Sequence, residues 1–335
     1  MIDKTNAAEP SVKVRQIKPR PTPAVQPLPF LTSKPVKHGF APHQWSNELW
    51  RLFLRGSALL PLSWSRAIGA ALGLLMMAAN AKRRKIARIN LEMCFPEKSP
   101  SQRRRLLRRH FIVSGQSYLD LSYLAWASKE RILRKVRFRH LEHYREPVSK
   151  KKNVILLAPH CVGMNFGGAV IAREHAQFSM VKLQGNATVN WVLNCGRMRF
   201  GCELLARQQG LRPVVRGLNQ GLSFYYLPDE DFGPKQSVFV PFFGVPTATL
   251  ATLGRLATMT DAVVVPCFTR LLPGGRGYEV ILRPALENFP SGDRVQDAAR
   301  MNEAMEEGIR AMPEQYLWTF KLFKTRPQHA PSPYV

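Results

Sequence analysis

The sequence predicts an α/β fold in which helices cover a β-sheet, and three observations carry that prediction. The first is the run Val154-Ile155-Leu156-Leu157-Ala158, which follows the polar turn Lys150-Lys151-Lys152. It is apolar throughout, too short for a stable helix and bounded on both sides, as expected of a strand buried on both faces. The second is the recurrence of similar runs at 224–227, 238–243, 262–270 and 278–282. The third is the helical patterning between them, at 249–260 and 293–311. Such alternation gives a sheet whose faces are closed by helices. A further helix is expected from about residue 164 to Glu174, directly after the first strand.

Residues 1–44 contain eight prolines, several basic residues and little periodicity, and are read as a disordered or extended basic arm. The segment 45–81 is expected to form an apolar, membrane-associated helix. Residues 56–81 carry a single charge, Arg66, and the uncharged core runs from Ala67 to Ala79. That core is short against the roughly 20 apolar residues of a membrane span. Lys82-Arg83-Arg84-Lys85 follows at once. The pattern fits a helix lying in the membrane interface, or an imperfect span with its basic end cytoplasmic. A buried core helix with a solvated basic flank is the plainer alternative.

Residues 81–109 hold 11 basic residues against Glu92 and Glu97. A helix is expected after the start signal Ser99-Pro100-Ser101, with Leu106, Leu107 and Phe111 inward and the arginines outward. A second amphipathic helix is expected from Gln116 to Ser128, with Tyr118, Leu121, Leu124 and Ala125 on one face.

The whole chain of 335 residues has 49 Lys and Arg against 23 Asp and Glu, a net charge of +26. This charge implies an acidic partner: nucleic acid, an anionic membrane face, a phosphorylated substrate or an acidic carrier protein. Five cysteines, an odd number without CxxC spacing, argue against a disulfide framework or a structural zinc site. The basic runs lack aromatic interleaving, and there is no zinc-finger or helix-turn-helix signature, so nucleic acid is not the expected partner.

His160 stands where the first strand of the apolar series ends, within Pro159-His160-Cys161-Val162-Gly163-Met164-Asn165. Ligands gather at the carboxyl ends of strands in open α/β sheets, and histidine exchanges a proton near neutral pH. Asn165 could fix its tautomer if the loop folds back. A purely structural histidine is the alternative. Cys161 is not expected to be a nucleophile.

The His160-x4-Asn165 box resembles the His-x4-acid box of the lysophospholipid-type acyltransferases, and more closely the late acyltransferases of lipid A biosynthesis. The resemblance spans roughly residues 50–330. It includes Asn90-Leu91-x-x-Cys94-Phe95-Pro96-Glu97, Gly196-Arg197-x-Arg199-Phe200-Gly201 and Tyr225-Tyr226-Leu227-Pro228-Asp229-x-Asp231-Phe232-Gly233. It continues through Phe239-Val240-Pro241-Phe242-Phe243-Gly244, Gln315-Tyr316-Leu317-Trp318 and Phe323-Lys324-Thr325-Arg326-Pro327.

This resemblance implies a mixed sheet flanked by helices, like that of the glycerol-phosphate acyltransferases, in an acyltransferase domain over 82–330. It implies transfer of a fatty acyl chain from acyl carrier protein to a hydroxyl of a phosphorylated, glucosamine-based lipid. Acyl carrier protein is then the co-substrate's vehicle, and neither metal nor cofactor is called for. The implied location is the cytoplasmic face of the inner membrane, where an anionic leaflet would meet the basic surface. His160 would be the general base. Backbone N–H groups near Gly163 and the guanidinium of Arg207 would stabilise the oxyanion. Asp229 and Asp231 would bind the sugar headgroup or order their loop, and Arg197 and Arg199 would contact phosphate.

The chain departs from the family at two places. Asn165 stands where an Asp or Glu is usual, and Phe320 and Leu322 stand in a stretch expected to be more polar. A carboxylate both orients an imidazole and stabilises its protonated form, whereas Asn only orients it. On this reading Asn165→Asp preserves or raises turnover, and His160→Ala abolishes it. The departures also motivate an alternative, a catalytically impaired homologue that binds lipid or regulates.

Overall fold

The computed structural model describes residues 28, 30–31, 45–327 and 330–335. Apart from residues 28, 30 and 31, the proline-rich arm lies outside the described residues. Of those three, Phe30 packs on Phe178 and the Leu31 N–H donates to the Leu204 carbonyl at 2.8 Å.

The segment expected to hold one apolar helix holds two, α1 (Trp45–Ser57) and α2 (Leu62–Ala79). Pro61 disfavours helical geometry in the residue before it and begins a fresh helix after it. α2 is long and apolar enough to cross a membrane, by length and composition. Asn80 then caps α3 (Ala81–Cys94) by accepting from the Arg83 N–H.

The two helices expected at 99–128 are one, α4 (Pro100–Trp126). It opens with a reciprocal cap between Ser99 and Gln102, with Pro100 in its first turn. Gly115 does not break it. A Cβ at Gly115 would lie 2.2 Å from the Gly69 carbonyl oxygen, and one at Gly73 would lie 2.1 Å from that of Phe111. Glycine is therefore required where α2 and α4 touch backbone to backbone.

The chain then runs through α5 (Lys129–Leu133), β1 (Val136–Arg139), α6 (Glu142–Ser149), β2 (Asn153–Leu157) and α7 (Met164–Ile171). It continues with β3 (Gln177–Val181), α8 (Ala187–Met198), β4 (Cys202–Ala206), α9 (Arg212–Asn219) and β5 (Ser223–Tyr226). β6 (Ser237–Phe242), β7 (Val245–Leu250), α10 (Thr252–Thr260), β8 (Ala262–Leu272), β9 (Gly277–Leu282) and α11 (Arg294–Ala311) complete it. Seven strands form a mixed sheet in the order β1-β9-β8-β2-β5-β3-β4. Only the β8–β9 pair is antiparallel. The run at 238–243 belongs elsewhere, since β6 and β7 form a separate hairpin. Its two-residue turn, Phe243-Gly244, has positive φ at both positions, which suits the twist of the flanking strands.

β2 occupies the centre of the sheet, which explains its unbroken apolar character. Its side chains alternate between two cores. Ile155 and Leu157 join Phe178, Phe224, Leu253, Leu256, Met301 and Met305 on one face. Val154 and Leu156 join Tyr144, Ile171, Val265 and Val280 on the other. All four β2 residues are fully buried.

α4 also carries a buried histidine into this core. His110 is wholly enclosed, with Nδ1 on the Glu314 carbonyl at 3.2 Å. Burial pushes its pKa down from 6.5 to about 4, against the pull of backbone carbonyls. Between those values the unfolded chain binds the proton and the folded chain does not, so stability falls as pH drops below about 6.5. Between pH 7 and pH 5 this group alone is expected to cost about 2 kcal/mol of stability. Denaturant unfolding at both pH values should show a smaller acid loss in His110→Gln than in wild type, and equal losses would refute the assignment.

Candidate active site

β2 and β5 are parallel neighbours, with Leu157 opposite Tyr226 and the Ala158 N–H bonded to the Tyr226 carbonyl at 2.9 Å. Their carboxyl ends therefore deliver two loops side by side. The first carries His160 and the second carries Pro228-Asp229-Glu230-Asp231.

Asp229 closes on His160 twice. The His160 main-chain N–H donates to Oδ2 at 2.7 Å, and Nδ1–H of the ring donates to Oδ1 at 2.6 Å. The side chains are 14% and 3% exposed. Burial disfavours the imidazolium, but the adjacent Asp229 charge and hydrogen bond outweigh it, with Glu230 adding to them, so the His160 pKa lies above its ordinary value. Burial likewise opposes the Asp229 carboxylate, and the charge and hydrogen bonds of His160 hold its pKa below the ordinary value. The pair fixes the tautomer, with Nδ1 protonated and Nε2 left for chemistry.

Nε2 faces Glu230 Oε1 at 3.7 Å. Glu230 in turn binds Arg207, whose NH1 lies 3.1 Å from Oε2 and whose guanidinium sits over Phe232 at 4.8 Å. The Phe320 ring stands 5.3 Å from the imidazole and makes an apolar wall beside it.

Asn165 does not orient His160. It is the second residue of α7 and accepts at Oδ1 from Nε of Arg197, on α8, at 2.8 Å. Helix formation from Met164 onward turns the amide toward α8, while the loop after β5 supplies the imidazole's partner. The carboxylate that Asn165 lacks is present in the site as Asp229, and the first of the two departures that motivate an impaired homologue loses its force with it.

His160, Asn165, Arg197 and Arg207 all line a cavity of about 950 Å³. Part of its wall is apolar, from Ala169, Met180, Leu204, Leu211 and Phe224. The charged lining comprises Lys182, Arg197, Arg207, Lys235, Arg255 and Arg294 against the single acid Glu230. Such a cavity suits a substrate with both an aliphatic chain and anionic groups.

Three sequence candidates lie elsewhere. Arg199 donates to the Leu124 carbonyl at 3.0 Å and ties the end of α8 to α4, outside the cavity lining. Asp231 orders its loop, accepting from the N–H groups of Gly233 at 2.9 Å and Thr325 at 2.8 Å and from the Thr325 hydroxyl at 2.9 Å. Gly163 is needed for packing, since a Cβ there would stand 2.8 Å from the Thr269 carbonyl oxygen. Burial pushes the Cys161 thiol well up, which disfavours the thiolate.

The sequence pattern gave no reason to single out Glu230, Lys182, Lys235, Arg255 or Arg294. Glu230 sits in the same acidic triplet as Asp229, so its charge was the available signal. Outside the cavity, His140, Glu142 and His143 bring ligand atoms within 4.8 Å of one another at the start of α6. His140 and Glu142 are exposed there.

The chain is similar to known proteins over most of its length. The family model for bacterial lipid A biosynthesis acyltransferases matches residues 34–325. A lipid A biosynthesis acyltransferase of Haemophilus influenzae is 35% identical over 85% of this chain and 89% of its own length. The lipid A biosynthesis lauroyltransferase of Escherichia coli is 33% identical over 82% of this chain and 90% of its own. The lipid A biosynthesis myristoyltransferase of Escherichia coli is 34% identical over 88% and 91%. With the match running through nearly all the described residues, the chain belongs to the bacterial lipid A biosynthesis acyltransferase family and is an acyltransferase.

Proposed function

We propose that this enzyme transfers a fatty acyl chain from the thioester of acyl carrier protein to a hydroxyl of a phosphorylated lipid A precursor, at the cytoplasmic face of the inner membrane. The observation that carries the reading is the Asp229-held imidazole of His160 lining a cavity that is part aliphatic and mostly cationic. Nε2 removes the acceptor's hydroxyl proton as that oxygen attacks the thioester carbonyl carbon. The carbonyl electrons move to oxygen, and the tetrahedral intermediate collapses with loss of the thiolate, which takes the proton back from His160.

Asp229 is the positioning residue of this scheme. It holds the ring and stabilises the positive charge that the imidazole acquires. The oxyanion falls to Arg197 in preference to Arg207. Arg207 is already paired with the Glu230 carboxylate, whereas Arg197 is hydrogen-bonded to a neutral amide and keeps its charge available. The remaining cationic lining residues suit the precursor's phosphates, and the apolar wall suits the acyl chain. No step calls for a metal or cofactor. The +26 surface suits the acidic carrier protein and the anionic leaflet alike.

The direct test incubates purified full-length protein with acyl-acyl carrier protein and a phosphorylated lipid A precursor, and reads the product by mass spectrometry. Acylated precursor is expected from wild type and none from His160→Ala. Absence of product from wild type, where a lauroyltransferase relative succeeds, would overturn the proposal.

Because the unprotonated imidazole is the base, turnover should rise with pH through a midpoint above 6.5. Asp229→Asn is expected to lower the rate about 100-fold or more and to move that midpoint down, since burial then acts unopposed by this carboxylate. A midpoint unmoved in pH–rate profiles would remove Asp229 from the role.

Asn165→Asp is expected to place its new carboxylate on Arg197. The guanidinium now lowers the imidazole's proton affinity, so the midpoint should shift upward, and turnover above it should fall about tenfold or more because Arg197, paired as Arg207 is, no longer keeps its charge available to the oxyanion. A downward shift in the same profiles would contradict this arrangement.

A further inference from the structure

The helix α2 satisfies the length and composition of a membrane span, yet its inner face is built into the protein. Gly69 and Gly73 bring its backbone against that of α4 at Gly115, Gln116 and Phe111. Arg66, one turn before Gly69, is buried beside Asp120 of α4, with NH2 at 2.9 Å and Nε at 3.0 Å from Oδ2. The same guanidinium donates to the Leu272 carbonyl at 2.5 Å and the Gly277 carbonyl at 3.2 Å, at the two ends of the β8–β9 turn. The Tyr278 hydroxyl donates to Asp120 as well. For α2 to cross a bilayer it would have to leave α4, opening this backbone contact and parting Arg66 from its buried counter-ion.

The outer face is different. Trp64, Ile68 and Leu75 share one side of α2 and are exposed, Trp64 by 67% and Leu75 by 64%. α1 adds Leu49, Trp50, Leu52 and Phe53, and the connecting turn adds Leu59 at 77%. These large apolar side chains recur on two consecutive helices and the turn that joins them, more than the scattered exposure of an ordinary surface. From Leu49 to Leu91 the chain has no acidic residue, and it carries Arg51 and Arg55 at one end and Lys82, Arg83, Lys85 and Arg88 at the other. An apolar face flanked by basic clusters, in a stretch of sequence with no acid of its own, matches the boundary between acyl chains and anionic headgroups.

We infer that the exposed apolar face of α1 and α2 seats in one leaflet of an anionic bilayer, with both helices lying along its surface and α2 not crossing. The inference sharpens the membrane location in the proposed function and rests on that location. It makes the protein a one-sided membrane enzyme in which α2 is at once a wall of the fold and its docking surface.

Two measurements on the full chain test it. In the first, an epitope is placed ahead of Met1 and another after Val335, and protease access is compared in right-side-out and inverted inner-membrane vesicles. Both epitopes are expected on the same side, and opposite sides would overturn the inference in favour of a span.

The second measures binding to vesicles of phosphatidylethanolamine with phosphatidylglycerol, and to vesicles of phosphatidylcholine alone. Binding is expected to prefer the anionic vesicles. It should weaken about tenfold or more in Trp64→Glu and in Leu75→Glu. Both variants should retain wild-type turnover on detergent-dispersed substrate, which reports that they fold. Vesicle binding unchanged in both variants would overturn the inference. So would an oligomer that both variants dissolve, which would assign the face to a second copy of the chain. Wild type that docks as expected but makes no acylated lipid would defeat the proposed reaction and leave the docking surface standing.

Discussion

One carboxylate joins the two loops on which the site depends. Asp229 accepts from both the main chain and the ring of His160, so it sets the position of the loop after β2 and the tautomer of the imidazole at once. A carboxylate buried to this degree is costly unless its lone pairs are used and its charge is answered. Here the histidine answers the charge and takes one lone pair of each oxygen. The geometry of the proposed base and the stability of the two loops are therefore one interaction viewed from two sides. That interaction exists because β2 and β5 are neighbours in the sheet.

The strand series made His160 legible. A histidine at the carboxyl end of an uninterrupted apolar run has few other reasons to be there, and the run's fully apolar character told of a central strand. Asp229 as its partner was not legible, because the two residues are 69 positions apart in sequence and meet only through strand order. Spacing along the chain pointed to Asn165 instead, a residue that the first turn of α7 directs toward Arg197. The partner of Arg207 was obscured in the same way, since Glu230 reaches it from another loop.

Strands β3 and β4 escaped the periodicity because each mixes polar with apolar residues, in Gln177–Val181 and Cys202–Ala206. Gln177 and Ser179 are nevertheless buried, their side chains bonded to the carbonyls of Gly168 and Tyr225. The break expected between two helices near Gly115 was absent for a tertiary reason. Glycine there is a place for another helix to lean, and no local rule distinguishes that use from a hinge. The hairpin β6–β7 shows the same limit, because alternation identifies a strand without saying which sheet it joins.

Under the proposed reaction, the Phe320 ring bears on the choice between two nucleophiles. Any base able to prime an acceptor hydroxyl can also prime water, and a thioester surrendered to water is wasted. A benzene ring beside the imidazole presents no hydrogen-bonding atom on that flank, so a water molecule arriving there would have nothing to hold it in line. A sugar hydroxyl is held in place by the remainder of its own molecule and loses nothing by this. In the proposed reaction an aromatic neighbour at this place thus favours transfer over hydrolysis without touching either substrate's reacting atoms.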